Sequence, residues 1–151
     1  MSAPAQLTKS IPMASIPREA AAALIAACLA AAKEIGMEVA VAVTDATGSL
    51  WAFERTDGAP FLTTDVAIDK AWTASSYGYP THVWNQYVGD PKVAPLAYHP
   101  RLLAVGGGYQ IMESDRLIGG VGISARGNET SARLCPYHGF GRLGSDPECW
   151  L

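Results

Sequence analysis

At 151 residues with a formal charge of -3, the chain is one ordinary domain, long enough to bury roughly two-thirds of its unfolded surface around a single core. The slight acidic excess excludes charge-driven wrapping of nucleic acid or adhesion to an anionic membrane, which leaves small molecules and other subunits as the expected partners. Three cysteines, Cys28, Cys135 and Cys149, are an odd number in a chain too large to need staples, and they read as free thiols of a reducing compartment.

The first fifteen residues, MSAPAQLTKSIPMAS, carry no usable period, so 1–15 is expected to be a flexible arm. Ser15, Pro17 and Glu19 are start signals for a helix that runs to about Ile35, where Gly36 supplies the stop. Leu24, Ile25, Cys28, Leu29, Ala32 and Ile35 recur at helical spacing and predict its buried face. The Ala20 to Ala32 run within it is too short to cross a bilayer and sits too late in the chain, between Glu19 and Lys33, to read as an export signal. A cytoplasmic location is expected.

EVAVAVTD reads as a strand buried on both faces, because Val39, Val41 and Val43 alternate with Ala40 and Ala42 and neither set is polar. Asp45-Ala-Thr-Gly48 is a tight turn and SLWAFER the returning strand of a hairpin. Alternation places Trp51, Phe53 and Arg55 on one face of that strand and Leu50, Ala52 and Glu54 on the other. Asp57-Gly-Ala-Pro60 breaks the strand. Thr63 or Thr64 then caps a helix to about Tyr77, ended by Gly78 and Pro80, and a short helix follows over His82 to Val88.

NQYVGDPKVAPLAYHPR is a long, proline-punctuated connection, the kind that serves as a lid or binding loop, with partial disorder as the alternative. LLAVGGG, YQIMES and RLIGGVGIS predict two or three antiparallel strands, with Ser114-Asp115 at a hairpin turn. Gly106 to Gly108 open no helix and so form no dinucleotide fingerprint; they predict a strand bend or a close backbone approach. Gly119, Gly120 and Gly122 remove side chains from a strand and make room for a helix or a ligand. Hairpins instead of crossovers imply an α+β domain, a central antiparallel sheet of about five strands flanked by helices.

The stretches VAVTDATGSLWAFERTDGAP, AIDKAWTASSYGYPT, RLLAVGGGYQI and IGGVGIS, taken in order, resemble the GlcG/HbpS family of haem-binding or haem-degrading-related domains. The resemblance implies a profilin-like or PAS-like fold over residues 16–126, assembly into a homo-oligomer and, in some members, a bound haem or corrinoid. Two departures stand out. Thr56 replaces the methionine usual before the Asp-Gly-Ala-Pro turn, and residues 127–151 replace the usual Ser-Gly-Gly and closing helix with an atypical tail. That tail is expected to pack on the domain and remodel the site.

Lys70 is the residue that most invites a chemical role. Its helical neighbours Ala67, Ala71 and Ala74 form a face suited to close packing on a sheet, so its amine either escapes the interface or points into a cavity. An ion pair with Asp57 is the structural alternative. Arg55 pins the turn through Asp57 or contacts a ligand, and Asp57 itself has a sufficient reason to be there in the turn. Asp65 and Asp69 are assigned to the helix dipole and solvent. His82, His99 and His138 are possible bases or haem ligands, and spacing does not choose among them.

Cys135-Pro-Tyr-His138 lacks the four-ligand pattern of a zinc site, so no metal is expected. The leading expectation is a small-molecule pocket between the sheet, the helix from Asp65 to Tyr77 and the tail. It would run a cofactor-independent acid/base lyase or isomerase step on a small oxygenated compound, with aromatic ones among the candidates. Lys70, Arg55, Asp57, His82 and His138 would be catalytic, and Trp51, Phe53, Trp72, Tyr77 and Tyr109 would contact the ligand. The alternative is a protein that binds or senses haem or another tetrapyrrole without turnover.

Overall fold

The computed structural model describes residues 5–126. Helix α1, Arg18–Glu34, starts behind Pro17, whose fixed φ suits a helix entry, and is closed by Gly36 at a φ of 69°. Strands β1, Val39–Asp45, and β2, Leu50–Arg55, form the expected hairpin. Its turn is organised by the Asp45 carboxylate, which accepts the Thr47 and Ser49 backbone N–H groups and the Thr47 hydroxyl. Burial pulls the Asp45 pKa up, but those three bonds outweigh it and hold the group below its ordinary value.

Helices α2, Leu62–Tyr77, and α3, Thr81–Tyr87, are followed by a 3-10 turn at Ala94–Tyr98. Strands β3, Gly108–Glu113, and β4, Arg116–Ala125, complete the chain's described part. Ser114 and Asp115 join these strands with both residues at positive φ, the geometry of a two-residue hairpin turn.

The sheet is antiparallel in the order β2-β1-β4-β3. Val39, Val41 and Val43 face α1 and join Leu24, Ile25, Cys28, Val121 and Ile123 in the larger core. Each fully buried valine is worth roughly 1.5–3 kcal/mol. On the other face Ala40 and Ala42 meet Ala67 and Ala71 of α2. The pairings Ala42 with Phe53 and Ala40 with Arg55 put Phe53 and Arg55 on this α2 face, as alternation requires. Helices therefore cover both faces of β1, and its sequence carries no polar stripe.

The glycines of β4 explain how close α2 lies. A Cβ on Gly120 would collide with the Ala71 carbonyl oxygen, and one on Gly122 with the Ala67 carbonyl oxygen. These glycines make room for a helix and not for a ligand. Gly108 does the same at β3, where a Cβ would lie 2.7 Å from the Lys70 carbonyl oxygen.

Three expectations need correction. Among the described residues the sheet has four strands, because residues 102–107 stay irregular and pairing begins only at Gly108. Gly107, at a φ of 114°, is where the chain turns into the strand. Thr63 and Thr64 lie inside α2; the N-cap is Phe61, and the Thr63 hydroxyl donates to the Pro60 carbonyl within the first turn. Ser15 does not cap α1, since its hydroxyl accepts the Ala46 N–H of the β1–β2 turn at 3.1 Å.

Candidate functional site

Lys70 is buried, 3% exposed, between α2 and the sheet. Its ammonium donates to the Ile123 carbonyl oxygen at 3.1 Å. Ile123 uses its own N–H on the Gly107 carbonyl, at 2.8 Å, just where β3 turns away. Lys70 thus supplies a donor to the carbonyl of β4 next to the point where strand pairing ends, a position the alanine face of α2 makes reachable. Burial without an acidic partner pushes its pKa down to about 8. Asp57, the ion-pair partner weighed as the alternative, is exposed in the turn after β2.

The outer face of α2 carries a strap. Thr73, fully buried, accepts the Leu103 N–H at 2.9 Å and donates to the Arg101 carbonyl at 3.2 Å. Arg101 pairs with Asp69 at 3.1 Å and sits over the Trp72 ring at 4.8 Å. His99 stacks on the same indole, with centroids 5.3 Å apart and planes 11° apart. Asp69 is therefore engaged in the only salt bridge among the described residues, and not left to the helix dipole and solvent. The connection expected to be a lid is held on α2 by these contacts.

His82, in α3, is half-buried, and burial lowers its pKa. Its ring lies 6.4 Å from that of Tyr109, and its Cβ faces Gly106. Thr81, beside it, accepts the Gly108 N–H at 2.8 Å and so caps the outer edge of β3. Further along, Tyr77 and Tyr87 pack on Trp84, and Tyr79 stacks on Tyr87. The Trp84 indole nitrogen is buried with no hydrogen-bond partner among the described residues.

The predicted site residues fall into separate groups. His82 and Tyr109 meet at the β3 edge near Gly106, whereas the Lys70 amine is bonded to Ile123 of the interior strand β4 from the α2 side. Trp51, Phe53, Arg55 and Asp57 belong to β2 or the turn after it, at the opposite edge, three strand spacings or about 14 Å away. Arg55 reaches the Thr64 hydroxyl at 3.5 Å and makes no ion pair with Asp57. Trp72 and Tyr77 lie on α2, Trp72 under the strap and Tyr77 in the aromatic cluster. His138, Cys135 and Cys149, and with them the packing of the tail, lie outside the described residues.

Among the described residues no three His, Cys, Asp or Glu side chains come close enough to hold a metal ion, and no helix is long and apolar enough to cross a membrane. An open groove of about 380 Å³ beside Pro12, Met13, Arg116 and Leu117 touches none of the predicted site residues. Sequence reasoning missed Thr73, Thr81 and Arg101, whose partners are backbone groups or lie about 30 residues away.

A four-stranded antiparallel sheet among the described residues, with helices on both faces, defines a small α+β domain class. The chain matches, over residues 16–135, the family described as haem degrading protein HbpS-like, and it belongs to that family. A 15.0 kDa uncharacterised protein of the dhaT-dhaS intergenic region of Citrobacter freundii is 30% identical over 122 residues, spanning 78% of this chain and 85% of that protein. The structure of Klebsiella pneumoniae protein ORFY superposes with a TM-score of 0.79 at 28% identity, covering 87% of this chain and 92% of that one. The PduOC:heme complex superposes with a TM-score of 0.72 at 26% identity, covering 80% of this chain and 90% of its own.

Proposed function

We propose that this protein binds haem or a closely related tetrapyrrole. The observation that carries the reading is the likeness, across most of both chains, to a relative solved as a heme complex. The residues at the β3 edge fit such a group: a half-buried histidine with no hydrogen bond among the described residues, the Tyr109 ring beside it and side-chain-free backbone at Gly106. A tetrapyrrole needs an apolar, partly aromatic wall and a few placed polar groups, and His82 and the Tyr109 ring are the groups this edge supplies. Mixing hemin with the purified protein should give a saturable Soret band distinct from that of free hemin.

The acid/base lyase or isomerase reading draws no support from the relatives. What favours it is Lys70 alone, an amine whose pKa of about 8 lies close to neutrality. Against it, that amine is occupied by the Ile123 carbonyl of β4, and Arg55 and Asp57 stand on β2 or the turn after it, two strands away. Turnover of a carbonyl compound that Lys70→Met abolishes would restore this reading. A homo-oligomer is part of the proposal, supported by Leu50 and Trp51 on the unpaired edge strand β2 and by Phe61, which is 85% exposed. Light scattering should give a dimer or larger, and a monomer at micromolar concentration would contradict it.

A further inference from the structure

Resting on the tetrapyrrole reading, we propose that His82 is the side chain that ligates the iron of a haem bound to this chain, with the bare backbone at Gly106 leaving the space beside it. Two histidines lie among the described residues, and their hydrogen bonding separates them.

His99 is committed. Its Nδ1 accepts the Arg101 backbone N–H at 3.3 Å, and its ring is stacked on Trp72. A neutral imidazole that accepts at Nδ1 carries its proton on Nε2, the nitrogen that would have to give a lone pair to iron. Ligation through Nε2 would require the opposite tautomer and the loss of the Arg101 bond. A ligating histidine ordinarily has the reverse arrangement, donating from its second nitrogen to an acceptor.

His82 is uncommitted among the described residues. It makes no hydrogen bond among the described residues, so either nitrogen can present a lone pair. Its half-buried setting favours the neutral ring that ligation needs. A Cβ built on Gly106 would lie 3.9 Å from the His82 Cβ with nothing nearer, and Gly106 lies outside the left-handed region. A side chain there is tolerated by the backbone and would project into the space beside the imidazole. The Tyr109 ring, tilted by 57°, forms another wall.

The test is a hemin titration of the full chain and of His82→Ala, His82→Gln, His99→Ala, His138→Ala and Gly106→Leu, read by the Soret band and by electron paramagnetic resonance of the ferric iron. The inference predicts that both His82 variants lose the histidine-ligated spectrum and at least tenfold in affinity, that added imidazole restores the spectrum in His82→Ala, and that His99→Ala and His138→Ala behave as the parent. Gly106→Leu should weaken binding with His82 intact, which keeps the test decisive if a His82 variant misfolds. A parental spectrum in the His82 variants, or its loss in His99→Ala or His138→Ala instead, overturns the ligand assignment and leaves the tetrapyrrole reading standing. Failure of the parent to bind hemin saturably defeats that reading and the assignment with it.

Discussion

Replacing Lys70 by methionine keeps the apolar stem and removes the amine, and the consequence depends on pH in a way the structure fixes. In the unfolded chain the amine titrates near 10.5, and in the folded one near 8. Below pH 8 both states hold the proton, and the folded state carries the full cost of a buried ammonium, on the order of 3 kcal/mol. Between pH 8 and 10.5 the folded state releases its proton while the unfolded state keeps it, so stability rises with pH. Above 10.5 both are neutral and the gain is complete.

Lys70→Met removes this dependence, but it leaves the Ile123 carbonyl without the lysine donor, a loss of about 1–3 kcal/mol. At pH 7 the two effects oppose each other, and parent and variant should agree within about 2 kcal/mol. By pH 10.5 the parent should have gained on the order of 3 kcal/mol relative to the variant. Urea unfolding of both proteins at pH 7, 8.5 and 10.5 measures this, and the comparison cancels the other lysines and the tyrosines. A difference between parent and variant that does not change with pH would mean that the amine is solvated, and the reasoning would fail.

Other perturbations test the packing of α2. Gly122→Ala should destabilise by about 2–3 kcal/mol in denaturant melts, because the new methyl meets helix backbone that cannot yield. Gly36→Ala, with open space around it and a φ of 69°, should cost only about 1 kcal/mol, and equal losses at the two sites would refute the close approach. Thr73→Val removes both bonds that tie the strap to α2, so it should cost about 1–3 kcal/mol and raise hydrogen exchange across residues 99–103 selectively. Unchanged exchange there would show that the strap is held by other contacts.

The order of elements was legible in the sequence wherever local chemistry decides it. The valine and alanine alternation of β1, the Asp45 turn and the glycine stops of α1 and α2 each leave a local mark, and each is found in place. The fifth strand was misread because LLAVGGG is apolar and looks like a strand, whereas its backbone is spent on Thr73 and on the turn at Gly107. The site was less legible. Lys70 could be singled out from its alanine neighbours, but its partner is a main-chain carbonyl, and no sequence pattern marks a carbonyl. Arg55 and Asp57 could be read as turn or ligand residues from their sequence, and the sheet order puts them on or just after β2, two strands from the β4 carbonyl that Lys70 bonds.

The most direct test of the account is the stoichiometry of hemin binding by the full chain, followed by the Soret band and by equilibrium dialysis, with the heat-unfolded chain as control. The account predicts saturation at a fixed ratio of hemin to chain with a spectrum that the unfolded control lacks. A linear, unsaturable rise identical in the folded and unfolded protein would contradict it.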